Sequence, residues 1–131
     1  MKAAESAAAA WLGVETIGTS AGEAVLRMAT RAEMDNGAEA VHAGFIAFLA
    51  GSAMDRAMGT TLTAGGGHEG FDLKLNFVAP GRIGEHLRAV ATVLHSGRQT
   101  GVAECRVEGE DGRLVATATA SFIVYPPESQ S

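Results

Sequence analysis

An α+β fold, in which a curved antiparallel sheet wraps one long central helix, is predicted by three features of this 131-residue chain. Residues 43 to 58 are apolar almost all round, and a helix of that kind has to be enclosed by other structure. Residues 71 to 77 alternate apolar with polar side chains, the pattern of a half-buried strand. Three further strand-like segments follow at hairpin spacing, so the strands pair locally around the single helix.

The elements follow in order. Residues 3 to 11 are rich in Ala and end near Gly13, which predicts a short N-terminal helix. With Lys2 this stretch superficially resembles a secretory leader, but Glu5 and Ser6 interrupt it and Ala is too weakly hydrophobic for that role. Between residues 14 and 30, two β-compatible segments flank Ser20-Ala21-Gly22 and read as a hairpin. Asp35-Asn36-Gly37 reads as a turn, because Asn and Gly tolerate positive φ, and it delivers the chain to His42 and the helix. Residues 60 to 70, with three consecutive glycines, are expected to form a loop, and the strand after it ends before Pro80. Segments 86 to 95, 100 to 108 and 114 to 125 complete the sheet, and residues 126 to 131 read as a flexible tail. The chain is expected to be one domain over residues 1–131, and a sheet this short leaves exposed edges, which predicts self-association.

Ten Lys and Arg against fifteen Asp and Glu give a net charge of −5, with no basic block to neutralise a phosphate backbone, so nucleic acid is not expected as a partner. No apolar stretch approaches the roughly 18 residues of a membrane span. The single cysteine, Cys105, rules out an internal disulfide, suits a cytoplasmic location and reads as a small core residue. The four histidines lack the spacing of metal ligands, and His86 and His95 read as surface strand residues.

Six pieces of sequence then occur in a telling order: WLGVE near the start, Asn36-Gly37, His42-Ala43-Gly44, LKLNFVAP with Gly84 beyond it, GRQTGV at 97 to 102, and DGRLVATATASFIV. Their order and spacing, over residues 11 to 124, resemble the hotdog-fold acyl-CoA thioesterases of the phenylacetate-degradation type. The resemblance implies hydrolysis of an acyl-CoA thioester to free acid and CoA, with coenzyme A as part of the substrate and no separate cofactor. It also implies a homodimer whose chains share active sites at their interface, and often a dimer of dimers, a homotetramer.

By that resemblance His42-Ala43-Gly44 stands where the family has His-Gly-Gly, at the start of the central helix. The first N–H groups of a helix are unpaired and partly positive, so they can hold a thioester oxygen as it becomes an oxyanion. The backbone amide of Gly44 is the first candidate, with Asn36 and His42 positioning the carbonyl or water. The family's catalytic carboxylate lies nine residues after the His, and here that position is Gly51. Asp55, displaced by about 6 Å and 40° along the helix, is one replacement; the competing reading is a solvated residue paired with a nearby Arg. Ser52 is turned about 100° from Gly51 and reads as packing. Glu69, beside His68 in the glycine loop, is the other candidate if the loop moves, against an exposed loop pair. Arg82 and Arg98, in turns, are candidates for the phosphates of CoA. With Gly51 in place, a non-catalytic protein that binds CoA or a small acyl ligand is the alternative. Asp35 and His42 stand seven residues apart, too far for the tight pair expected of a hydratase.

Overall fold

In the computed structural model, which describes residues 6–127, helix α1 (Ala7–Leu12) starts at Ser6, whose side chain accepts the Ala9 N–H at 3.0 Å. It stops at Gly13, which is left-handed at φ 74°, as helix ends favour. Residues 3–5 of the expected helix and 128–131 of the expected tail lie outside the described residues. Strands β1 (Val14–Ser20) and β2 (Glu23–Ala29) form the expected hairpin. A turn of 3-10 helix (Ala32–Met34) leads on to α2 (Ala43–Gly59), and β3 (Gly67–Phe77), β4 (His86–Ser96), β5 (Thr100–Glu108) and β6 (Leu114–Tyr125) follow. All pairings are antiparallel, and the six strands stand in the order β1-β2-β4-β5-β6-β3. The chain therefore crosses from one half of the sheet to the far edge between β2 and β3, and α2 is the crossing.

The inner face of the sheet is lined by small side chains, among them Ala24, Ala89, Ala91, Ala103, Ala116, Ala118 and Ala120, all buried. Small residues let the helix sit close, and α2 fills the hollow with Ile46, Leu49, Ala53, Met54, Ala57 and Met58. Leu49 is wholly buried, worth about 2 kcal/mol relative to exposure. Cys105 belongs to this core at 2% exposure, and burial pushes its thiol up to about 12. A thiol kept protonated is a poor nucleophile, so the folded protein is expected to give no reaction with a disulfide reagent at pH 8 and one equivalent after denaturation.

Three expectations need correction. First, α2 is not fully enclosed: Ala43 and Gly44 are exposed and Phe45, Phe48, Gly51 and Ser52 only half-buried, because the sheet does not close over that side. Second, the glycine loop is shorter than expected. Gly67 to Gly70 pair with Tyr125 to Phe122 of β6, so His68 and Glu69 stand on a strand rather than in a loop. Third, the strand over 71–77 is not half-buried. It is a sheet edge, with Phe71 60% and Phe77 53% exposed, although Leu73, Leu75 and Phe77 face inward opposite Ala120, Ala118 and Ala116.

The turn between β3 and β4 is pinned by a buried carboxylate. Glu85 accepts the Arg82 N–H at 2.6 Å and the Glu110 N–H at 3.1 Å, and is ion-paired with Arg113. Thr30 fastens the same turn to β2 by donating to the Glu85 and Arg82 carbonyls.

Candidate active site at the two ends of the central helix

The N-terminal end of α2 is set by a lasso of local hydrogen bonds. Asp35 accepts the Gly37 N–H at 2.8 Å, and Asn36 Oδ1 accepts the N–H groups of Ala38 at 2.7 Å and Ala40 at 3.3 Å. Gly37 at φ 89° and Glu39 at φ 64° take left-handed conformations, which only the glycine adopts without strain. The His42 N–H then donates to the Met34 carbonyl at 2.7 Å, and the imidazole becomes the cap: Nδ1 accepts the Gly44 N–H at 2.9 Å. An accepting Nδ1 carries no hydrogen, so the ring's proton sits on Nε2. The amide expected to hold an oxyanion is thus occupied by a side chain that a rotation about χ1 would release. Beside it lies an apolar cavity of about 460 Å³, lined in part by Asn36, Ala43, Ile46, Phe77 and Gly81.

At the other end, Asp55 meets His68 of β3, with Nε2 and Oδ1 2.9 Å apart. The His68 side chain is 16% exposed against 62% for Asp55, and its ring packs edge-on against Phe122 with centroids 5.7 Å apart. Asp55 divides two cavities. One of about 380 Å³, toward β1, is bordered by Ser52, Arg56, Thr60 and His68. The other, of about 420 Å³, is bordered by Gly51, Phe71, Leu73 and Phe122. A Cβ on Gly51 would meet only Leu73 Cδ2, at 3.7 Å, an ordinary contact. Packing within the chain therefore does not demand a glycine there.

The remaining candidates lie apart. Glu69 faces the outer side of the sheet and accepts the Tyr125 hydroxyl at 3.0 Å, which raises the phenol's value. Arg82 pairs with Asp111 at 3.2 Å before β4 begins. Arg98, beyond the other end of β4, is exposed beside a cavity of about 330 Å³ shared with Thr61, Gly66 and Tyr125. At about 3.3 Å per residue, the 11 residues of β4 put roughly 30 Å of strand between the turns that carry these two arginines. Gly44 and Asp55 are likewise separated by about 16 Å of helix.

The family model of the thioesterase superfamily matches residues 40–116, more than half of the chain. The chain belongs to the thioesterase superfamily. It is 33% identical over 105 residues to the acyl-coenzyme A thioesterase PaaI of Escherichia coli strain K12, covering 80% of this chain and 73% of that protein. The structure of the E. coli PaaI protein from the phenylacetic acid degradation operon superposes with a TM-score of 0.85 at 30% identity, over 90% of this chain and 83% of that one. A conserved protein of Pseudomonas aeruginosa superposes with a TM-score of 0.86 at 27% identity, over 92% and 94%. The wrapped helix and six-stranded sheet are accordingly the hotdog fold of this superfamily.

Against this thioesterase background, the residue that sequence reasoning passed over is His68. The signal was obscured by a β-bulge between Gly70 and Asp72. A bulge shifts the alternation of side chains by one. Counting back from Leu73 and Phe77 places His68 on the outer face, whereas its true partner Val124 shares the inner face with Phe122.

Proposed function

We propose that the chain hydrolyses an acyl-CoA thioester to the free acid and CoA, with the oxyanion held at the N-terminus of α2. The observation that carries this reading is the Gly44 N–H, exposed at a helix start and capped only by the displaceable His42 ring, in a chain of the thioesterase superfamily. Asn36 and His42 position the thioester carbonyl, the former through its amide NH₂, since its Oδ1 is taken by the turn.

The 16 Å between Gly44 and Asp55 supports a site built from two chains. Ala43 and Ile46 share a cavity with Phe77, Gly51 lies by Leu73 and Gly59 by His68, so α2 runs antiparallel to β3. Pairing two β3 edges about a twofold axis sets the Phe77 end of one chain against the His68 end of the other. The Gly44 end of one helix then meets the Asp55 end of the second, and Arg82 of one chain lies on the same side as Arg98 of the other, where both can reach CoA phosphates. The exposed inward residues Phe71, Leu73 and Phe77 supply apolar area for this homodimer. We extend the assembly to a dimer of dimers on the resemblance alone. The unpaired, buried Cys105 fits a cytoplasmic enzyme, and among the described residues no helix is long and apolar enough to cross a membrane. No cofactor beyond the substrate's own CoA enters the scheme.

A thiol-release assay with aryl, short and long acyl-CoAs tests the reading, and the inert Cys105 leaves the thiol reagent to report CoA alone. Turnover is expected with at least one member of the panel. No release above the uncatalysed rate with any member would reject hydrolysis in favour of binding alone.

A further inference from the structure

Gly51 deprives the proposed hydrolysis of the family's water-activating carboxylate, and the His68–Asp55 pair stands one helical turn away, Asp55 bordering both the cavity that Gly51 lines and the neighbouring one that His68 lines. We propose that His68 is the general base and acid of the reaction, oriented by Asp55, an inference that rests on the hydrolytic reading above. Two observations carry it. The carboxylate holds the ring at Nε2, which places the proton there and leaves Nδ1 to accept one. The ring is fixed edge-on by Phe122 and largely shielded, while still bordering an open cavity of about 380 Å³. An imidazole is also better matched than an exposed carboxylate to proton transfer near neutral pH.

In the proposed step, water gives a proton to Nδ1 as its oxygen forms a bond to the thioester carbon, and the carbonyl π pair moves onto the oxygen held by the Gly44 amide of the second chain. On collapse the C–S bonding pair leaves with sulfur, the imidazolium returns its proton to that sulfur, and acid and thiol depart with the ring neutral again. Asp55 is a positioning residue in this scheme. Around His68 and its cavity, among the described residues, α2 contributes the charged groups Asp55 and Arg56, β6 contributes Phe122, and β1 contributes Val14, Thr16 and Thr19.

The test compares wild type, His68→Gln, Asp55→Asn and Asp55→Glu on an acyl-CoA that the wild type turns over, with kcat and KM measured for each. We expect His68→Gln to lose about 10²- to 10⁴-fold in kcat with KM little changed. Asp55→Asn should lower kcat with KM little changed, and Asp55→Glu, which keeps a carboxylate to orient the ring, should recover most of that loss, a rescue a purely structural contact would not produce. A His68→Gln enzyme within about threefold of wild-type kcat overturns the inference and leaves hydrolysis standing. Should His68→Gln fail to fold, an Asp55→Asn enzyme with wild-type kcat overturns it instead. A wild type that releases no thiol overturns both.

Discussion

Gly44→Val is expected to lower kcat/KM for thioester hydrolysis by about 10²- to 10³-fold, the usual cost of losing an oxyanion donor, while the thermal transition stays close to that of the wild type. The amide itself survives the substitution, but its approach does not. A Cβ at Gly44 would sit 3.2 Å from His42 Nδ1, so the capping ring has to yield, and a branched side chain occupies the path by which a thioester oxygen would reach the N–H. Stability should fall by no more than the displaced cap is worth, about 1 kcal/mol, because Gly44 is exposed in the first turn of α2. The contrast is His42→Ala, which frees the amide but removes the cap, at a cost of about 1 kcal/mol. Steady-state kinetics and thermal melts of both variants separate the two effects. A Gly44→Val enzyme of wild-type activity would remove the helix N-terminus from the mechanism.

Glu85→Ala is expected to destabilise the protein by about 3 to 5 kcal/mol, because removing one member of a buried ion pair strands the other. The Arg113 side chain is 18% exposed and that of Glu85 9%, and the Arg82 and Glu110 N–H groups would lose their acceptor as well. Asp111, which also pairs with Arg113 at 2.8 Å, holds only part of its charge. Burial alone would raise the Glu85 carboxyl; the two N–H groups and the guanidinium outweigh it and hold the group below 4.5. Asp111 is lowered too, chiefly by the Arg113 N–H, as is Glu110, chiefly by the His86 N–H. A carboxyl depressed in the folded state stabilises fully above its unfolded value and loses that contribution as pH falls through the folded value. Wild-type stability should therefore hold steady from neutral pH down to about 4.5 and fall below it, whereas Glu85→Ala should start lower and fall less steeply. Denaturant titrations between pH 3 and 7 measure both. The site depends on this network, since Arg82 follows Gly81, which lines the cavity beside Asn36.

Much of the fold was legible because it rests on local signals. The apolar run at 43 to 58 gave α2 nearly to the residue, Asn36-Gly37 gave the turn before it, and strand-like segments at hairpin spacing gave the strands from 86 onward. The start of β3 was not legible, because Gly67 and Gly70 carry no side chains to alternate and their place is set by pairing with β6, more than 50 residues away. The same distance hid the exposure of Phe71 and Phe77, which follows from β3 being an edge. Of the candidate site, the His42 cap and the Gly44 amide could be read from the helix start alone. The partner of Asp55 could not, since His68 reaches it only through a bulge that no residue type announces. The separation of Arg82 from Arg98 was implicit in the strand between them, but the Asp111 pairing of Arg82 needed the fold.

The central claim is that one chain's helix start and another chain's Asp55–His68 end form a single hydrolytic site. Co-expressing Gly44→Val and His68→Gln chains in equal amounts tests it directly, because a mixed pair would contain one site carrying both changes and one carrying neither. Thiol release restored to about a quarter of the wild-type rate, as random twofold pairing requires, is the expected result. Mixed assemblies no more active than either variant alone would contradict it.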